Sequence, residues 1–174
     1  MSEVQEIKDE PKMVITVQKA KLKKGLYLQA DYTIRMPDGS VQHHPAVLCS
    51  DDAHEDLRAG FRVLGAHLAS MTDSYGNDKH ISMDVLCRGF SIKGNEGDDN
   101  YGVTLTGQRT LKSGFVLILN SPFLRFSQTE VYGPMDSLLH ALEECKKEVM
   151  LALFENKKAP DVQGKLDLYT EEDD

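Results

Sequence analysis

The sequence predicts an α+β protein: antiparallel sheet in a strand-strand-strand-helix order that occurs twice, with two amphipathic helices packed on the sheet. Three observations carry this reading. Residues 13–49 and 81–126 hold segments of alternating or β-branched apolar residues, separated by turns bearing Gly or Pro, as short antiparallel strands do. Leu57, Phe61, Leu64, Leu68 and Met71 recur at steps of three and four, as do Met135, Leu138, Leu142, Cys145, Val149 and Leu153, so each set lies on one stripe of a helix. Strands come in runs with a helix after each run, which implies antiparallel sheet with the helices on one face.

Taken in order, residues 1–12 are charged, contain Pro11 and are expected to be disordered. Val14 begins a strand that reaches Leu22, and Lys23-Lys24-Gly25 turns the chain. Leu26 to Arg35 alternates, with Leu28, Ala30, Tyr32 and Ile34 on one face and Tyr27, Gln29, Asp31, Thr33 and Arg35 on the other. Pro37-Asp38-Gly39 is a strong turn signal. A third strand runs from Val41 to Cys49, interrupted by Pro45. Asp52 and Glu55 have capping-box spacing before the first helix. Thr72 to His80 reads as a polar loop, and Val85 to Ile92 as a strand. Gly94 to Asn100 reads as a long polar hairpin tip, Val103 to Thr106 as a half-buried strand and Lys112-Ser113-Gly114 as a tight turn. Phe115 to Leu119 is apolar throughout, which predicts a central strand or one buried on both faces. Pro122 cannot donate to a ladder and marks a bulge or an exit to an edge. Gly133-Pro134 puts Pro at the first position of the second helix, which carries Glu143 and Lys147 as an i, i+4 pair and ends near Asn156. The expected organisation is one domain over 13–156, with halves at about 13–72 and 81–156 and an acidic tail over 157–174.

Charge is distributed unevenly along the 174 residues. Residues 1–11 carry one Lys against four acids, residues 12–126 carry 14 Lys and Arg against 12 acids, and residues 127–174 carry 5 against 12. A slightly basic β-rich body therefore lies between acidic ends, which can solubilise it or shield a basic surface in cis. No run of eighteen apolar residues exists to span a membrane, and the first residues lack the apolar core of a signal peptide, so the expected location is cytoplasmic. Cys49, Cys87 and Cys145 are odd in number and far apart, which suits reduced thiols rather than a disulfide framework or a metal site.

No short catalytic or metal motif emerges, and the reading names no catalytic residue, metal or cofactor. His43 and His44 are neighbours on a strand and point to opposite faces. His54 and His67 stand about 140° apart around a helix axis. Asp98-Asp99-Asn100 lacks the spacing of a calcium loop, and Gly94, Gly97 and Gly102 lack the Gly-Lys-Ser/Thr ending of a phosphate cradle. Ser113-Gly114 and Ser121-Pro122 lack nucleophile-elbow context. The richer pattern is diffuse: aromatics and cations share the strands and hairpins of residues 19–126. Such a face can stack bases and follow a phosphate backbone. The residues selected for that role are Tyr27 and Tyr101 for stacking, with Lys21, Arg88, Arg109 and Arg125 for phosphates. The competing reading makes the Phe residues core and the cations a solvated outer face.

LKKGLYLQADYT with its Pro-Asp-Gly hairpin, and GVTLTGQRTLKSGFVLILNSPF before a terminal helix, resemble small uncharacterised proteins of tailed bacteriophages and related mobile elements. The resemblance covers about residues 13–155 and brings no activity or functional residue with it. The repeated strands-then-helix order is similar to the Whirly and Pur-repeat families of single-stranded nucleic-acid binders, which have four strands per repeat where three are counted here. The acidic C-terminus resembles those of bacterial and phage single-strand binding proteins, but ends in Asp174 instead of an aromatic residue. Together with the aromatic and basic strands, which would form the groove, these resemblances lead to the expectation of a non-enzymatic binder of single-stranded DNA or RNA in phage replication or recombination, acting in the host cytoplasm. The tail would recruit protein partners or compete for the groove, and homo-oligomerisation stays open. The alternatives are a phage structural or host-inhibiting interaction protein that uses an exposed sheet edge and binds no nucleic acid, and an enzyme of unrecognised type.

Overall fold

Two meanders, each followed by a helix, make up the described residues. A computed structural model describes residues 12–72 and 84–160. The first meander is β1 (Val14–Lys23), β2 (Tyr27–Arg35) and β3 (Val41–Asp52), followed by α1 (Glu55–Met71). The second is β4 (Val85–Lys93), β5 (Gly102–Thr110), β6 (Val116–Asn120) and the two-residue β7 (Leu124–Arg125), followed by α2 (Met135–Phe154). The strands form one antiparallel sheet in the order β3-β2-β1-β4-β5-β6, with β7 also on β5. The expected order of three strands and a helix, occurring twice, is the one observed, and both helices pack on the sheet. The first strands of the two meanders meet at the centre through Lys19↔Ser91, Ala20↔Phe90 and Lys21↔Gly89.

Alternation decides which side of this sheet is core. Leu28, Ala30 and Tyr32 of β2, Val17, Ala20 and Leu22 of β1, Val85, Cys87 and Phe90 of β4, and Val103 and Leu105 of β5 are buried beneath the helices. Leu57, Phe61, Leu64 and Leu68 of α1, and Met135, Leu138, Leu142, Cys145 and Val149 of α2, complete the core from the other side. Each large apolar side chain buried this way contributes about 1.5–3 kcal/mol. Gly107 lets α1 come close, because a Cβ there would meet Leu68 Cδ2 at 2.6 Å.

Two bulges at the central seam reverse the alternation. β1 turns Val17 inward, slips register between Val17 and Lys19, and then turns Ala20 and Leu22 inward. The extra residue is Gln18, and its effect is to send Lys19, Lys21 and Lys23 to the opposite face. β4 does the same between Cys87 and Gly89, so that Phe90 joins the core and Arg88 is left in the bulge. A Cβ at Gly89 would lie 2.9 Å from Ala20 O, so glycine is what lets the two strands pair at the seam.

Several local expectations are corrected. The N-cap of α1 is His54, whose Nδ1 accepts the Asp56 amide at 3.1 Å; Asp52 still belongs to β3. Pro134 is the N-cap of α2, not its first helical residue. Glu143 pairs with Lys146 and Lys147 with Glu144, one residue tighter than the expected Glu143–Lys147 pair. The segment Phe115–Leu119 is not central: it forms the edge strand β6, with only Leu119 of the five buried. Pro122 lies between β6 and β7, where the register against β5 slips by one residue. Residues 1–11, the expected loop at 73–80 and residues 161–174 of the expected tail lie outside the described residues. Residues 157–159 are tied down: Lys157 pairs with Asp56 and Glu148, and the Ala159 amide donates to Asp52 O.

Candidate nucleic-acid interface

The sheet has a second face, and among the described residues no element packs on it. Register assigns its side chains. In one row, Gln29 of β2, Lys21 of β1, Gly89 of β4, Thr106 of β5 and Asn120 of β6 stand side by side. The next row holds Asp31, Lys19, Ser91 and Thr104. Tyr27 pairs with Lys23 at one end, and Gly102 pairs with both Lys93 and Arg125 at the other. The cations thus trace a diagonal from Lys23 through Lys21 and Lys19 to Lys93 and Arg125. Strand rise and spacing make this track on the order of 25 Å long. The guanidinium of Arg88 leans out of its bulge onto Gly25, in the β1–β2 turn next to Lys24.

The ion pairs lie away from this face. Among the described residues, the Lys and Arg ion pairs involve Arg62, Lys146, Lys147, Lys157 and Lys158, on the helices or at the α2–β3 junction. None of these pairs involves Lys19, Lys21, Lys23, Lys24, Lys93, Arg88 or Arg125. Asp31 is the acid opposite Lys19, and its Oδ1 accepts the Ala46 amide at 2.9 Å across the β2–β3 bulge. An array of solvated cations without ion pairs on an uncovered sheet face is an anion-attracting surface.

Of the six residues selected from sequence, the structure brings Tyr27, Lys21, Arg88 and Arg125 to this face. It does not bring Tyr101 or Arg109. Tyr101 precedes Gly102 by one residue and so alternates to the helix side. Its ring meets Phe126 edge-on at 4.7 Å, in a cleft shared with Glu143, Lys146 and Met150 of α2. Arg109 pairs with buried Val85 and takes the helix side for the same reason. The aromatic that does reach the open face is Phe123. It precedes buried Leu124, is 39% exposed, and its ring fills the space a side chain at Gly102 would take. Tyr27 and Phe123 therefore bracket the cation track. The i, i+2 spacing of Lys19, Lys21 and Lys23 is a readable signal for the whole stripe, whereas Phe123 has no such signal.

The other polar cluster is buried and holds elements together. His67 of α1 lies 2.7 Å through Nδ1 from the Tyr132 hydroxyl, and its Nε2 is 3.5 Å from Ser137 Oγ of α2. Burial holds the His67 pKa below its ordinary value, which keeps the imidazole neutral. His44 stacks on Tyr32 at 4.8 Å on the helix side, while His43 is exposed. Cys87 is buried with its thiol pushed up to about 12, which makes it inert. Among the described residues, no group of three or more His, Cys, Asp and Glu is placed to hold a metal ion. No helix of the described residues is long and apolar enough to cross a membrane. No protein-family model, curated protein or solved structure matches this chain.

Proposed function

We propose that this chain is a non-enzymatic binder of single-stranded nucleic acid, acting as an accessory in phage replication or recombination. The observation that carries the reading is the open sheet face, with its unpaired cation track running between Tyr27 and Phe123. Cations set at β-sheet spacing follow a phosphate backbone, and the aromatics at the ends stack bases of any identity. The track length corresponds to the small end of the roughly 4–16 nucleotides seen for single-strand binding sites. The acidic C-terminal residues are competitors for the same cations. Fluorescence anisotropy with a labelled oligothymidine at low and moderate salt tests this. Micromolar binding that weakens steeply with salt and shows little base preference is expected; no binding at low salt and micromolar protein removes the reading.

The alternative is a structural or interaction protein that uses a sheet edge, and a specific observation favours it too. β6 is an edge strand, and Val116, Leu117 and Ile118 on it are 52%, 47% and 67% exposed. The two readings use different parts of the sheet, and the anisotropy titration separates them, since the alternative binds no nucleic acid.

A further inference from the structure

The composition of β6 and its position disagree. Phe115-Val116-Leu117-Ile118-Leu119 has the residues of a strand with neighbours on both sides, yet it lies at the edge of the sheet with one neighbour. Edges that stay solvated are normally blunted by charge, proline or a bulge. The opposite edge is treated that way: β3 contains Pro45, Ala46 at φ 50°, and the closing Asp51-Asp52, and its end is bridged by Lys158 against Ala53. β6 has none of these devices.

Its free hydrogen-bonding groups can be assigned. The Leu111 amide donates to Phe115 O, and the Ser121 amide donates to Leu105 O. In an antiparallel ladder, bonded pairs alternate, so Phe115, Leu117, Leu119 and Ser121 direct their backbone groups at β5. The N–H and C=O groups of Val116, Ile118 and Asn120 then point outward, unpaired within the sheet. The side chains flanking them are apolar on both sides of the sheet, with Val116 and Ile118 on the open face and Phe115 and Leu117 on the helix side.

We infer that β6 is the interface for a second copy of this chain, paired antiparallel with its own equivalent across a two-fold axis. A strand paired with its own copy closes on itself and leaves no further edge of this kind exposed. β6 carries no charge to oppose its copy. The exposed surface of Leu111 and Phe115 to Ile118 sets an upper bound on burial of about 500 Å² per copy, or about 1,000 Å² for a pair, at the threshold for a specific interface. The chain's own C-terminal segment is a poorer occupant. The described chain ends against β3, at the opposite edge, and residues 161–174 contain six acids that suit the cation track better than an apolar strand. Antiparallel pairing places the two-fold axis normal to the sheet. The helices of both copies then lie on one side, and both open faces lie together on the other.

Sedimentation velocity and light scattering on the full chain, from about 1 to 200 µM, test the inference without reference to nucleic acid. The expected mass is twice the 19.5 kDa of one chain. Ile118→Lys and Val116→Lys place a charge at positions already more than half exposed, so the protomer keeps its circular dichroism and the mass falls to one chain. Leu48→Lys, at an exposed site on the opposite edge, leaves the dimer intact. An Ile118→Cys variant that oxidises to a covalent dimer locates the axis independently of the Lys variants. A wild-type monomer across the whole range overturns the inference and leaves the edge to a strand of another protein. So does a dimer that survives both Lys changes or is broken by Leu48→Lys.

Discussion

Replacing Lys19, Lys21 and Lys23 together by Ala deletes half of the cation track without touching the core, because all three side chains are exposed and none is in an ion pair among the described residues. Six cations make up the track: these three with Arg88, Lys93 and Arg125. For a single strand, log K falls with log salt at a slope of about −0.7 per neutralised phosphate. Six contacts give a slope of about −4, or a loss of about 300-fold between 50 and 200 mM salt. The triple variant should show a slope of about −2 and lose only about 20-fold over the same range. Anisotropy titrations of a labelled oligothymidine at four salt concentrations measure both slopes. Arg62→Ala with Lys146→Ala and Lys147→Ala, on the helix side, is the matched control and should leave the slope unchanged. If the helix-side variant flattens the slope and the β1 variant does not, the binding face has been misassigned.

Tyr27→Ala and Phe123→Ala should each weaken single-strand binding by about 1–3 kcal/mol. Tyr101→Ala, on the helix side, should leave affinity alone in the same titration. Leu64→Ala and Leu142→Ala, at side chains 0% and 2% exposed, should each cost about 2–5 kcal/mol in urea melts; losses under about 1 kcal/mol would show that the helix stripes do not form the core. Truncation after Pro160 removes six acids and Lys165, a charge change of +5, while keeping the Ala159–Asp52 bond. It should tighten binding at low salt with little change in melting temperature. His67 supplies a pH dependence. Its folded pKa lies below the ordinary 6.5, so below pH 6.5 the unfolded chain binds the proton more readily. Stability is fully present above 6.5 and declines as pH falls towards the folded value. His67→Phe should flatten that part of the urea-midpoint profile, and an unchanged profile would mean that other groups set it.

The element order and the two helix stripes are legible because each follows from a simple period. Leu57, Phe61, Leu64 and Leu68 need only a 3.6-residue repeat to be grouped, and all four are buried. The face assignments in the sheet are less legible because period two is fragile. One bulge at Gln18 and another at Arg88 reverse the parity of everything beyond them. Alternation from Val17 alone would send Lys19, Lys21 and Lys23 inward, and only the bulge puts them on the open face. Tyr101 and Arg109 fall on the helix side because they share the parity of buried Val103 and Leu105 along β5. Phe123 belongs to the aromatic set of these strands, but its face is not legible, because the one-residue slip at Pro122 that turns it onto Gly102 depends on the fold of β6 and β7 against β5.

The disagreement over β6 is of a different kind, and it is informative. Reading Phe115 to Leu119 as a central strand applies a sound rule, that a continuous apolar run marks a strand covered on both sides. Within one chain the rule fails, since β3 and β6 are the two edges and β6 is the bare one. Pairing two copies through β6 meets the other form of the expectation, a central strand: β6 becomes the centre of a sheet of twice the width, and the blunted β3 strands become its outer edges. The same operation brings two cation tracks onto one surface, and a longer single strand can then engage both. A composition that looks misplaced in the protomer is thus what the larger sheet requires at its centre.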